Sequence, residues 1–363
     1  MALRKNKLNS FNPNFLDLAF EQAKINLGST RTNPSVGCII EKDGSVISSG
    51  RTSLNGRPHA ERNALNKKIN FKNSNLYTTL EPCSHHGKTL PCTSIIVKKK
   101  IKNVYFSFFD EDKRSKRIAI KKLKIKKITA KLIKIKKKYK LFYKSYSSFK
   151  KIKLPLLEGK IGISNDYFSI NKKKKWITNN FSRKRVHLLR SQYNAILTTS
   201  RTINKDNSLL NCRIEGLEIK SPDIIIIDRN LEIKKNIKLY KIKKRKIFLI
   251  TNTSNSIKEN FLKKKGIKII KKKKIDTSND FKNLLIDLNK LGFSRIFVES
   301  GLKFMNFLIL SKLINSIYIF KSKNNLKKNG YNNSSNKFIK KIKLKNKINV
   351  NLNGDLLYKE III

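Results

Sequence analysis

The sequence predicts two consecutive α/β domains. Segments with strand character alternate with segments of helical spacing, as in α/β proteins. Several of the apolar segments are short unbroken runs, the mark of strands buried on both faces. The texture of the chain also changes once, near residue 150, and a length of 363 residues suits two domains of ordinary size. The expected domains are residues 1–150 and 151–363.

In order along the chain, Asn12-Pro13 followed by Phe15, Leu18 and Ala19 predicts a capped helix, with Gly28 placed to end it. Val36 to Ile40, then Asp43-Gly44, then Val46-Ile47 predicts a β-hairpin with a tight turn. A helix should start after Pro58 and run from His59 to Asn66. Asn75 to Leu80 reads as a strand, and Cys92 to Lys99 as the next helix. From Lys121 to Lys140 the chain is almost all Lys, Ile and Leu, and its periodicity assigns neither state. Tyr143 to Lys153, rich in Ser, Tyr and Lys and followed by Leu154-Pro155, reads as the linker. Beyond it, Ala195 to Thr198, Ile224 to Ile227, Ile247 to Thr251 and Ile296 to Val298 predict buried parallel strands. No internal repeat is visible.

The charge is extreme. Eighty-three Lys plus Arg stand against 24 Asp plus Glu, a formal net charge of +59. Such a charge suits a nucleic-acid partner when it is clustered on one face with arginines and aromatics. Here Lys is spread through every segment beside abundant Asn and Ile. All three are residues of AT-rich codons, so nucleotide bias explains the composition more simply. No specific nucleic-acid partner is expected, although the field can steer a phosphorylated substrate. Four cysteines in this length make no disulfide framework and fit a reducing cytoplasm. No apolar run approaches the roughly 18 residues a membrane span needs, and MALRKNKLNSFNPNF lacks the apolar core of a secretory signal. No membrane association is expected.

Chemistry concentrates in Pro58-His59-Ala60-Glu61, Thr79-Leu80-Glu81-Pro82-Cys83 and Pro91-Cys92. Zinc-assisted hydrolysis needs three protein ligands and one position left for water. His59, Cys83 and Cys92 supply an imidazole and two thiolates, each preceded by proline. Glu61 is placed to act on the water as general acid/base rather than as a ligand, the pattern of zinc nucleobase deaminases. It would take the water proton, pass it to the ring nitrogen and help ammonia leave. His85 and His86 lie between the cysteines and compete as ligands. Alone, a histidine at a helix start or a single cysteine is more often structural. A zinc finger wants cysteines two to four apart, and these have eight residues between them.

TLEPCSHHGKTLPC, with the upstream TNPSVGCII and PHAE, resembles the bifunctional deaminase–reductase family of riboflavin biosynthesis. The eight-residue insert with Ser84-His85-His86-Gly87 separates it from cytidine and transfer-RNA deaminases, which space the cysteines by two. The resemblance continues through Trp176-Ile177-Thr178, HLLRSQYNAILTTSRTINKDNSLLNCR and FVESG. It implies a cytidine-deaminase-like three-layer αβα domain followed by a dihydrofolate-reductase-like α/β domain. The first would use zinc to deaminate a diaminopyrimidinone carrying a phosphoribosylamino group, and the second NADPH to reduce the ribosyl group to ribityl. By matching positions, Asn33 would contact the deaminase substrate. Ile163, Trp176, Thr202, Asp206, Arg229 and Gly301 would lie along NADPH, and Lys174, Arg190, Leu210, Arg213 and Glu299 around the reductase substrate. Gly301 follows a strand and opens a helix, where backbone N–H groups favour phosphate, and Arg190 and Arg213 can grip a phosphate bidentately. A homodimer is also expected.

The match has departures. Asp110-Glu111-Asp112-Lys113 replaces an Asp-Pro-Asn-Pro run, and Ser164-Asn165-Asp166-Tyr167 replaces Ser-Leu-Asp-Gly. Tyr167 thus stands for a glycine, where a larger side chain could obstruct the cofactor or tighten a turn. Lys174 and Arg229 stand where the family has a serine and a small polar residue. Three alternatives follow: a deaminase with a degenerate reductase domain, a base or transfer-RNA deaminase, and a nucleic-acid-binding protein with structural zinc.

Overall fold

Asn12 starts the first helix, α1 (Pro13–Ile25), by accepting the Asn14 N–H at 2.9 Å, while Pro13 occupies a position that needs no donor. The computed structural model containing it describes residues 11–87, 89–242, 244–335 and 337–362. The expectation about a targeting segment concerns residues 1–15, of which the first ten lie outside these. The chain divides into two compact units between Ile152 and Lys153. No described helix is long and apolar enough to cross a membrane.

In the first unit α1 buries Leu16, Ala19, Phe20 and Ala23, and ends before Gly28, which takes φ 83°. Leu18, counted in the apolar stripe, faces outward instead. The hairpin forms from β1 (Gly37–Lys42) and β2 (Ser45–Arg51), joined by Asp43 and Gly44, both at positive φ as a two-residue turn requires. Then follow α2 (Ala60–Leu65), β3 (Asn75–Thr78), α3 (Cys92–Lys98), β4 (Asn103–Phe106), α4 (Ile118–Ile125), β5 (Thr129–Leu132) and α5 (Lys144–Lys151). The sheet order is β2-β1-β3-β4-β5, with β1 antiparallel to both neighbours and the other pairs parallel. Alternation sends Cys38, Ile40, Leu76 and Val104 toward α2, α3 and α4, and Ile39, Tyr77 and Tyr105 toward α1. The result is a three-layer αβα sandwich.

Two segments differ from expectation. Lys121 to Lys140 covers the end of α4, then β5, then a turn in which Tyr139 stacks on Phe20 at 3.8 Å between ring centroids. The expected linker is largely helix α5. Tyr143, which caps it, and Tyr146 within it are buried in the first unit's core.

The second unit contains β6 (Leu156–Ile163), β7 (Ile170–Asn171), α6 (Asn180–Arg190), β8 (Ala195–Thr199), α7 (Ser200–Asp206), β9 (Asp223–Ile227), β10 (Ile247–Thr251) and α8 (Ser256–Lys264). It continues with β11 (Ile267–Lys271), α9 (Ser278–Lys290), β12 (Arg295–Val298), α10 (Leu302–Leu310), β13 (Ser316–Lys321), β14 (Gly330–Tyr331), α11 (Lys337–Lys341) and β15 (Leu356–Ile361). Its eight-stranded sheet runs β11-β10-β9-β8-β12-β6-β13-β15 and is parallel except for β13 with β15. The four apolar runs read as strands are β8, β9, β10 and β12, which lie side by side in the order β10-β9-β8-β12 and are buried on both faces. Leu197, Ile225 and Val298 pack with α9 and α10, while Ile196, Ile226 and Phe297 face the side of α6 and α8. The carboxyl ends of β6, β8, β9 and β12 open into one cavity, the usual ligand position in such sheets.

Candidate active sites

In the first unit two helix starts and one loop converge. Pro58 ends the connection from β2, and His59 caps α2 with extended backbone. Pro91 likewise precedes Cys92 at the start of α3. Close approach of α2 to the sheet requires Gly50 on β2: a Cβ there would lie 2.3 Å from the Ala60 carbonyl oxygen. His59 Nδ1 is 3.5 Å from the sulfurs of both Cys83 and Cys92, and the Cys92 N–H donates to Cys83 Sγ at 3.2 Å. The three ligating atoms lie within 4.8 Å of one another. All four cysteines are free thiols.

The donor set suits zinc. Hydrogen bonds to the Cys83 sulfur from Cys92 and His59 outweigh burial and favour a thiolate there, while the hydrogen bond to Cys83 and burial push the Cys92 thiol up. A divalent cation at the centre is what lets both sulfurs ionise together. Glu61, on the first turn of α2, is 3% exposed, and burial with the nearby Cys83 charge pushes its carboxyl up to about 7 against the pull of His59. His85 is held elsewhere, with Nδ1 2.7 Å from Ser115 Oγ. Among the described residues only His59, Cys83 and Cys92 make a metal-ligating group. Asn33 is half-buried, and its amide donates at 3.2 Å to the Gly56 carbonyl, just before the His59 segment.

Glu81, inside the same motif, escaped the sequence reading. Its buried carboxylate accepts the backbone N–H groups of Asp110, Arg117 and Ala119 at 3.3, 2.9 and 3.1 Å. It thereby fixes the chain leading into α4. Asp110, in the departed run, is buried and takes the Tyr146 hydroxyl at 2.8 Å.

In the second unit a cavity of about 1630 Å³ is lined by Lys174, Trp176, Arg190, Thr202, Asp206, Leu210, Arg213, Arg229, Glu299 and Gly301. Ile163 is not there: its side chain is fully buried in the core beneath. Arg190 and Glu299 form a bidentate pair, Nε to Oε1 at 2.6 Å and Nη2 to Oε2 at 3.0 Å, and Arg190 Nη1 donates to the Asn211 carbonyl. Arg190 is therefore committed and does not grip an anion with both arms, as the sequence suggested. Thr202 meets Thr199 and Ser300 through its hydroxyl. Trp176 is 56% exposed, with Arg183 at 5.1 Å and Lys175 at 5.3 Å from its ring. Arg229 pairs with Asp276 at 2.7 Å on the rim. Gly301 caps α10, so the first N–H groups of that helix open at the cavity. Leu210 takes φ 47°, and its carbonyl accepts from Arg245.

Tyr167 also takes a left-handed φ, 68°, but packs against the core and does not line the cavity. The departure from glycine leaves the cavity open. Lys160 on β6 and His187 on α6 are among the cavity residues that the sequence did not mark. Burial holds the Lys160 ammonium below the ordinary lysine range, against the pull of Glu299 and Asp206. A lysine inside an apolar strand is a signal, but 83 basic residues hide it.

Residues 10–108 match the cytidine and deoxycytidylate deaminase zinc-binding region, and residues 168–322 match the RibD C-terminal domain. Riboflavin biosynthesis protein RibD of Aquifex aeolicus is 29% identical over 310 residues, 85% of each chain. The protein of the same name from Actinobacillus pleuropneumoniae is 28% identical over 312 residues, 84% of this chain and 82% of its own. The chain belongs to the RibD family of riboflavin biosynthesis. The fold agrees along nearly the whole length. A structure of Acinetobacter baumannii RibD superposes with a TM-score of 0.80 at 23% identity, covering 96% of this chain and 98% of that one. The Thermotoga maritima deaminase/reductase gives 0.79 at 24%, covering 95% and 97%. The two units are thus the cytidine-deaminase-like and dihydrofolate-reductase-like domains of a RibD-type chain.

Proposed function

We propose that the chain carries out two consecutive steps. It hydrolyses 2,5-diamino-6-(5-phosphoribosylamino)pyrimidin-4-one to 5-amino-6-(5-phosphoribosylamino)uracil, then reduces the ribosyl group to ribityl. The observation that carries the first step is the convergence of His59, Cys83 and Cys92 beside a buried Glu61.

His59 Nδ1 and the sulfurs of Cys83 and Cys92 would hold the zinc. Bound zinc supplies the Lewis acidity that makes water a nucleophile near neutral pH. Glu61 takes the proton of that water on a carboxylate oxygen, passes it to the ring nitrogen and then assists the departing amine. Asn33, beside the segment that leads to His59, orients the pyrimidinone.

In the second unit, NADPH held in the cavity would supply the hydride that the reduction needs. Reduction also requires a proton at the former ring oxygen, and Lys160, facing Glu299 and Asp206, is placed to hold it. The start of α10 at Gly301 offers backbone N–H groups to cofactor phosphate. Thr202, Asp206, Trp176 and Arg229 complete the cofactor side, and Lys174, Arg190, Leu210, Arg213 and Glu299 the substrate side. The reading includes a cytoplasmic location, which free thiols suit, and a homodimer, which sedimentation of the purified chain tests.

The test is to give zinc-loaded protein the diaminopyrimidinone and follow ammonia release and NADPH oxidation separately. Both signals support the two-step reading. Ammonia alone leaves a deaminase with a degenerate second domain. Neither signal from folded, zinc-containing protein overturns the proposal.

A further inference from the structure

His187 lies on α6, 8% exposed, on the wall of the second unit's cavity. The nearest partners of its two ring nitrogens are of opposite kind, with Arg190 Nη1 a more distant 3.4 Å from Nδ1. Nδ1 is 2.7 Å from the Asn211 carbonyl oxygen, which can only accept, so Nδ1 carries a proton. Nε2 is 3.0 Å from Arg213 Nη2, which can only donate, so Nε2 offers a lone pair. A neutral imidazole alone satisfies both. Its surroundings keep it neutral: burial and the guanidinium groups of Arg190 and Arg213 lower its pKa, while the Asn211 carbonyl and Glu299 pull the other way.

Arg190 and Arg213, both on the cavity wall, are therefore unequal. Arg190 spends Nε and Nη2 on Glu299 and Nη1 on Asn211. Arg213 is exposed and attached through one nitrogen to His187, so the rest of its planar donor fork can meet an anion. A long exposed arginine without such a tether would lose rotamer freedom on binding, and that cost falls when it is held beforehand.

We infer that His187 is a positioning residue, which fixes Arg213 in the cavity as the reader of the substrate's phosphate. This rests on the reductase reading above. His187 touches no reacting atom. It acts through Arg213, and its effect belongs to substrates that carry the phosphate.

The experiment uses the full zinc-loaded chain, with 5-amino-6-(5-phosphoribosylamino)uracil and its dephosphorylated riboside as probes. Binding is read by calorimetry and turnover by NADPH oxidation. His187→Phe keeps the ring volume, and Arg190 still satisfies the Asn211 carbonyl. The expected result is a rise of about tenfold in Kd and KM for the phosphorylated probe, the size of one lost charge-assisted hydrogen bond. The rise in KM should exceed any fall in kcat, and riboside binding should change little. Arg213→Ala should do the same, and His187→Phe added to it should cost nothing more. His187→Gln, whose carbonyl can accept from Arg213, should recover part of the loss. If His187→Phe does not fold, His187→Gln and Arg213→Ala carry the comparison. Equal weakening of both probes, or additive effects of the two substitutions, would overturn the inference. Absence of NADPH oxidation by the unaltered chain would instead overturn the reductase reading, and the two binding probes would still decide the role of His187.

Discussion

Arg190 and Glu299 face each other across the second unit's cavity as a buried bidentate ion pair, joined at 2.6 and 3.0 Å from opposite elements, α6 and the end of β12. Removing one partner strands the other charge where water cannot repay it. Arg190→Met should therefore destabilise the second unit by about 3 kcal/mol, the cost of breaking a buried pair. Glu299→Gln, which keeps a hydrogen-bonding group opposite Arg190, should destabilise the unit by less. Urea unfolding of the two variants measures both, and equal stability to the unaltered chain would show the pair to be slack.

Metal removal should separate the two activities. Cys92→Ser, or treatment with a strong chelator, should lower zinc content and abolish ammonia release. NADPH oxidation with the already deaminated substrate should continue, because none of the metal-ligating residues belongs to the second unit. Parallel loss of both activities would mean that zinc also supports the reductase domain.

Glu61→Gln should keep zinc and lose deamination by about a hundredfold or more, the range attributed to a positioned acid/base. Zinc per chain and ammonia release are the two measurements. Loss of zinc in this variant would move Glu61 from acid/base to ligand.

Much of both sites was legible because the ligands sit at points where local rules act together. His59 and Cys92 each follow a proline at a helix start, and four parallel strands of the second unit carry short apolar runs such as Ile224 to Ile227. What escaped lacks periodicity. Helix α5 buries only Ser145 and Tyr146, too few to mark a helix within a Ser- and Lys-rich stretch. Its capping Tyr143 is inside because its hydroxyl meets Thr79 at 2.6 Å and the Ser35 carbonyl at 3.1 Å, partners far off in sequence. The α4–β5 region hides its register because lysines occupy nearly every exposed position and Ile125 is exposed too. The resemblance put Ile163 along the cofactor, yet alternation along β6 turns its side chain into the core. His187 and Glu81 act through single polar contacts, which no pattern announces.

Acid should unfold the second unit at a definite point. Glu158 is buried and accepts from Arg295 at 3.0 Å, Lys359 at 2.6 Å, Tyr193 at 2.7 Å and Ser316 at 2.7 Å. Burial pushes its carboxyl up, but Arg295 and Lys359 outweigh burial and hold it at about 2, below the usual 4.5. A depressed folded pKa means stability present above the unfolded value and lost as pH falls toward the folded one. About 3 kcal/mol should thus disappear between pH 4.5 and 2. Glu158→Gln should be less stable at pH 7 and show a flatter loss across that window, measured by urea unfolding at stepped pH.

Arg229 offers the clearest separation of stability from binding. Its pair with Asp276 is exposed on both sides, 53% and 52%, so the pair contributes roughly 0–1 kcal/mol. Arg229→Ala should leave the melting temperature nearly unchanged. The same guanidinium stands at the carboxyl end of β9, on the rim of the cavity proposed to take NADPH. Its loss should raise the NADPH dissociation constant several-fold at low salt, and the difference should shrink as salt screens the phosphates. NADH, which lacks the 2′-phosphate, serves as the control in a fluorescence titration. A rise confined to NADPH places Arg229 at the 2′-phosphate, and an equal rise for both cofactors places it at the pyrophosphate. No change for either removes Arg229 from the cofactor and returns it to the surface.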